Sequence, residues 1–120
     1  MYTRTSLIFT ASLIGGLNLM NAALAGTVAP ATGKQLAFDS AKGNCLACHA
    51  MPTIPDAEAA GTLGPPLIAM QMRYPDKALL RAEIRNAMIS NPDTVMPPFG
   101  KNKILTEKEI DKITDFVYGL

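Results

Sequence analysis

The chain has 120 residues, 48% of them hydrophobic and 18% charged, with a formal net charge of +1. That length suits one domain, and the near-neutral charge argues against nucleic acid or a charged membrane surface as partner. Nine prolines and no tryptophan leave only a modest core, of the kind that a metal, a disulfide or a cofactor commonly completes.

Residues 1–25 read as a secretory signal. Arg4 gives a basic start, Leu7 to Leu19 form a broken apolar run, and Ala23-Leu24-Ala25 supply small residues before Gly26. The run is too short to span a bilayer comfortably, so the expectation is cleavage and a domain over residues 26–120 with no membrane association, located in the periplasm. Arg4 is the only charged residue in the leader, so ten basic and ten acidic residues remain beyond it.

Helix formers dominate Lys34 to Lys42, with Leu36, Ala37, Ser40 and Ala41 on one face and Gly43 placed as a stop. Pro52 to Pro66 is a loop by composition. A short piece with helical potential follows from Leu67 to Met72. Tyr74-Pro75-Asp76 is a turn with Asp76 as candidate N-cap. Leu79, Leu80, Ile84, Ala87 and Met88 then keep a helical period until Asn91-Pro92. Pro97-Pro98 makes residues 91–102 irregular. Thr106 to Glu109 is a capping box, and Ile110, Ile113, Phe116 and Val117 form the apolar stripe of a last helix. No segment has the period of a strand. The expected class is all-α, three to four helices with long loops that wrap something.

What they wrap is suggested by Cys45, Cys48 and His49, which are both cysteines and the one histidine of the chain. A structural zinc site needs four ligands, and only three are present. A redox dithiol is expected beside a βαβ unit, which is missing. Cys-x-x-Cys-His is the attachment signature of c-type cytochromes: the two thiols become thioethers to the porphyrin vinyl groups, and the adjacent imidazole becomes the proximal iron ligand. The prediction is one covalently bound haem c. With no second histidine, the sixth ligand is expected to be a methionine. Met51 lies too close to His49, Met88 falls on a helical core stripe, and Met70 and Met72 sit in an apolar segment and stay open as alternatives. Met96, in a loop stiffened by Pro97 and Pro98, is the favoured ligand.

This reading resembles the class I cytochrome c pattern, in which a Gly-Pro segment after the haem motif offers a carbonyl to the proximal histidine. The resemblance implies that fold, and it implies that Pro65, in Gly64-Pro65-Pro66-Leu67, accepts from His49.

Gly43 to His49, Leu63 to Leu67, Arg73 to Arg81 and Asn91 to Asp111, above all Met96 to Asp111, together resemble the SoxX family, the monohaem subunits of the SoxAX sulfur-oxidation complex. The likeness runs from about Ala37 to Val117. It implies a heterodimer with SoxA, which oxidatively couples thiosulfate to a cysteine of the carrier SoxYZ, an L-cysteine S-thiosulfotransferase reaction. It also implies that the haem held by Cys45, Cys48, His49 and Met96 accepts the electrons and passes them to a small cytochrome c. The chain by itself has no free cysteine or histidine left for catalysis, so it is expected to carry electrons, with no catalytic residue of its own. A free-standing periplasmic cytochrome c shuttle is the alternative, and a haem-based sensor is a third. Lys77, Arg81 and Arg85 share one helical face, expected to be solvated, with docking to a partner or to a haem propionate as the other reading.

Overall fold

A computed structural model describes residues 29–120. The expected export signal, residues 1–25, lies outside the described residues. Four α-helices follow in order: α1 (Gly33–Phe38), α2 (Met70–Arg73), α3 (Lys77–Asn86) and α4 (Glu107–Tyr118). Single 3₁₀ turns occupy Cys45–Ala47 and Ala87–Ile89. No strand occurs among the described residues, in agreement with the all-α expectation.

Local chemistry starts each long helix. Thr106 and Glu109 form the predicted capping box on α4. Asp76 caps α3 by accepting from the Ala78 N–H at 2.8 Å. α1 has a capping box of its own, Thr32 with Gln35. It ends at Phe38, four residues short of the predicted Lys42. The cause is Asp39, whose carboxylate accepts from the Ala41 N–H at 2.8 Å and diverts the backbone into a turn. Gly43 is therefore not the helix stop; its N–H returns to the Leu36 carbonyl at 3.0 Å, and Asn44 takes the left-handed conformation with φ 46°.

α1 crosses α4 at close range. A Cβ on Gly33 would sit 2.0 Å from the Lys112 carbonyl oxygen, so only glycine fits the crossing. Phe38 and Phe116 meet edge to face across it, with ring centroids 6.3 Å apart. Leu36, Ala37, Ile110, Ile113 and Val117 are buried there.

α3 runs antiparallel to α4 and buries Leu80 and Ile84, followed by Ala87. Leu79, placed on this stripe by periodicity, is 57% exposed, because α3 is covered along one narrow face only. Met88 is 38% exposed, because the tighter turn at Ala87–Ile89 rotates it off that face. The cationic face of α3 is exposed, as expected, and its charges are paired with α4. Lys77 pairs with Asp115 at 2.7 Å, Arg81 with Asp111 at 2.6 Å and Glu107 at 2.8 Å, and Arg85 with Glu107 at 2.9 Å. Each pair is exposed and contributes little alone, but the row matches the antiparallel register of α3 on α4.

Candidate functional site

The segment after α1 is wound tightly. The His49 N–H donates to the Cys45 carbonyl at 2.9 Å and the Cys48 N–H to the same oxygen at 3.2 Å. This turn brings Cys45, Cys48 and His49 to the wall of one cavity of about 640 Å³.

The Pro-rich loop is laced to that turn. Gly61 N–H donates to Leu46, Gly64 N–H to Cys48 and Leu67 N–H to Ala50, each at 2.8 Å. Gly64 lies flat against the imidazole, where a Cβ would come within 2.3 Å of His49 Cε1. Beyond it, the Pro65 carbonyl lies 2.7 Å from His49 Nδ1. A carbonyl only accepts, so Nδ1 carries the proton and Nε2 keeps its lone pair. An imidazole so held is prepared for a metal.

Both thiols are free. Burial pushes the Cys45 thiol up to about 11, so it stays protonated at neutral pH.

The remaining walls come from distant elements. α3 supplies Leu80 and Ile84, α4 supplies Ile113 and Val117, and the loop after α3 supplies Met96 and Phe99. That loop is anchored by the Gly100 N–H on the Arg85 carbonyl at 2.9 Å and by the Asn102 N–H on Pro98 at 2.9 Å. Among the other methionines, Met51 is buried in the core and Met72 is 83% exposed. Met70 lines the cavity, but its Sδ accepts from Arg73 Nη1 at 3.5 Å. Met96 lines the cavity and is half-buried.

Two thiols, an imidazole with a committed tautomer and a thioether thus converge on a roomy, mostly aliphatic chamber. This donor set fits a covalently held haem: thiols for attachment, soft and imidazole ligands for iron, and apolar walls for the macrocycle. Sequence reasoning missed Arg73, which lines the cavity and donates to the Pro66 carbonyl at 2.8 Å. Arg73 opens the stretch Arg73 to Arg81 that carries part of the family resemblance, but its residue type and spacing assign it no role.

Residues 29–117 match the family described as "Cytochrome C oxidase, cbb3-type, subunit III". The fold is similar to a chain in the crystal structure of SoxXA from P. pantotrophus, with a TM-score of 0.65 and 29% identity over 75% of this chain and 82% of that one. No curated protein matches the sequence.

Proposed function

Because the chain belongs to the cytochrome c family of cbb3-type oxidase subunit III and its cofactor is haem c, we propose that it is the SoxX-type electron-transfer subunit of a thiosulfate-oxidising complex. Its likeness to a chain of SoxXA supports this reading. Residues 1–25 export it to the periplasm and residues 26–120 form the cytochrome domain. Among the described residues no helix is long and apolar enough to cross a membrane.

Cys45 and Cys48 hold the haem as thioethers. His49 offers Nε2 to the iron, with its Nδ1–H held by the Pro65 carbonyl, and Met96 offers its thioether. When bound, the haem supplies a one-electron Fe(III)/Fe(II) couple. The protein's part is to hold both ligands, exclude water with aliphatic walls, and so keep the ligand set unchanged between oxidation states. With His49 and both cysteines so used, no nucleophile or general base remains, so catalysis belongs to the partner. That partner is SoxA, the substrate of the complex is the SoxYZ carrier with thiosulfate, and a small cytochrome c takes the electrons.

The observation that carries the reading is the convergence of Cys45, Cys48, His49 and Met96 on one cavity. Affinity capture from the periplasm tests it. The expected result is a stable heterodimer with a second c-type cytochrome, whose haems become reduced when thiosulfate and the carrier are both present. The family match names a subunit of a respiratory oxidase, which favours a second reading: an electron carrier of a respiratory chain. A monomer that is indifferent to thiosulfate but reduced by a respiratory donor would establish that reading instead.

A further inference from the structure

We propose that Arg73 is a positioning residue for His49, acting through the Pro65-Pro66 backbone; the proposal rests on His49 being an iron ligand.

Pro65 and Pro66 have no N–H, so the chain between Gly64 and Leu67 can be anchored only through carbonyl oxygens. The flanking Gly64 and Leu67 N–H groups are tied to Cys48 and Ala50, each at 2.8 Å. Between them two carbonyls face two different partners: Pro65 O lies 2.7 Å from His49 Nδ1, and Pro66 O accepts from Arg73 Nη1 at 2.8 Å. The direction of one peptide plane constrains the next, so the guanidinium that holds the Pro66 carbonyl also limits how far the Pro65 carbonyl can turn away from the imidazole.

Two further facts favour a positioning role. Arg73 Nη1 also reaches Met70 Sδ at 3.5 Å, and Met70 is buried, so the guanidinium is braced against the core. The residue closes α2, a helix of only four residues whose place after Leu67 puts its last side chain back over the proline pair. A planar guanidinium suits this task better than an ammonium, because its donors have fixed directions.

The test follows the His49 Nδ1–H in the haem-loaded protein by NMR. In the oxidised wild type, an iron-bound imidazole gives resonances displaced far from the ordinary range by the unpaired electron. Exchange of the Nδ1 proton with solvent is then compared in wild type and in Arg73→Leu. Loss of one charge-assisted bond predicts exchange about tenfold faster in the variant, with absorption bands unchanged. Should Arg73→Leu fail to fold, Arg73→Lys carries the test: one flexible ammonium cannot reproduce the fixed contacts to Pro66 O and Met70 Sδ, so exchange rises several-fold. Exchange at the wild-type rate in the variant that folds would overturn the proposal while leaving His49 as ligand. Absence of displaced imidazole resonances in the wild type would overturn both together.

Discussion

A thioether is a weak ligand, so placement decides which methionine can serve. Of the five methionines beyond residue 28, Met72 and Met88 are turned to solvent and Met51 is buried in the core. The Met70 sulfur is engaged by Arg73. Met96 is left on the cavity wall, its N–H on Thr94 Oγ1 at 3.2 Å and its loop stiffened by the two prolines that follow. Met96→Ala is expected to abolish the weak near-infrared sulfur-to-iron band of the oxidised protein, while Met70→Leu leaves it in place. A band that survives Met96→Ala would move the assignment to another residue. The same scale governs Gly64. Its neighbour Pro65 stiffens the loop, and a methyl group there would press within 2.3 Å of the His49 ring. Gly64→Ala should therefore destabilise the haem-loaded protein by about 1–3 kcal/mol in urea denaturation; a variant of wild-type stability would show that the loop can yield.

Between elements, contacts reach α4 from two sides. Gly33 lets α1 approach it, and the carboxylates on its outer face meet the cations of α3. Glu109 joins the two roles. It completes the cap with Thr106 and pairs with Lys42 at 2.8 Å, and the Lys42 ammonium, ahead of the Thr106 N–H, holds its carboxyl down to about 2 from the ordinary 4.5. A carboxyl depressed in the folded state stabilises above its unfolded value and loses that contribution as pH falls through the folded one. The stability gap between wild type and Glu109→Gln should thus be full at pH 7 and shrink between pH 4.5 and 2, as urea midpoints across that range would reveal. A gap independent of pH would mean the pair adds nothing. The caps of α3 and α4 were legible because each is written within four consecutive residues. The end of α1 was not, because Asp39 competes for the backbone through a side-chain bond that composition does not reveal. Leu79 and Met88 were misplaced because periodicity gives the spacing of a stripe and not how much of it a neighbour covers. Likewise the cations of α3 could be paired only once α4 was known to lie antiparallel beside them. At the site, Cys45, Cys48 and His49 were legible as a contiguous covalent motif, whereas Arg73 donates to a backbone carbonyl, a contact that residue type and spacing do not reveal.

For the molecule as a whole, the cavity takes the place that a larger core would fill. Leu80 and Ile84 of α3 and Ile113 and Val117 of α4 all line it, so the inner faces of the two longest helices border the cavity as well as each other. The exposed ion pairs between those helices add little, and the Pro-rich loop is held to the haem-binding turn by a few backbone bonds. A covalently attached haem stays on the unfolded chain as well, so it stabilises the fold through the apolar contacts and iron ligation that only the folded chain completes. Replacing both attachment thiols, Cys45→Ala with Cys48→Ala, should accordingly give a chain with much of its helical circular dichroism lost and no cooperative urea transition, while the haem-loaded protein unfolds in one step. Residual structure in the variant should centre on the α1–α4 crossing, where Leu36, Ala37 and Ile110 are buried away from the cavity lining. Hydrogen exchange would show this as protection confined to α1 and α4. A double variant that unfolds cooperatively, with the same denaturant dependence as the loaded protein, would show that the four helices close without the haem and that the cavity is a preformed socket.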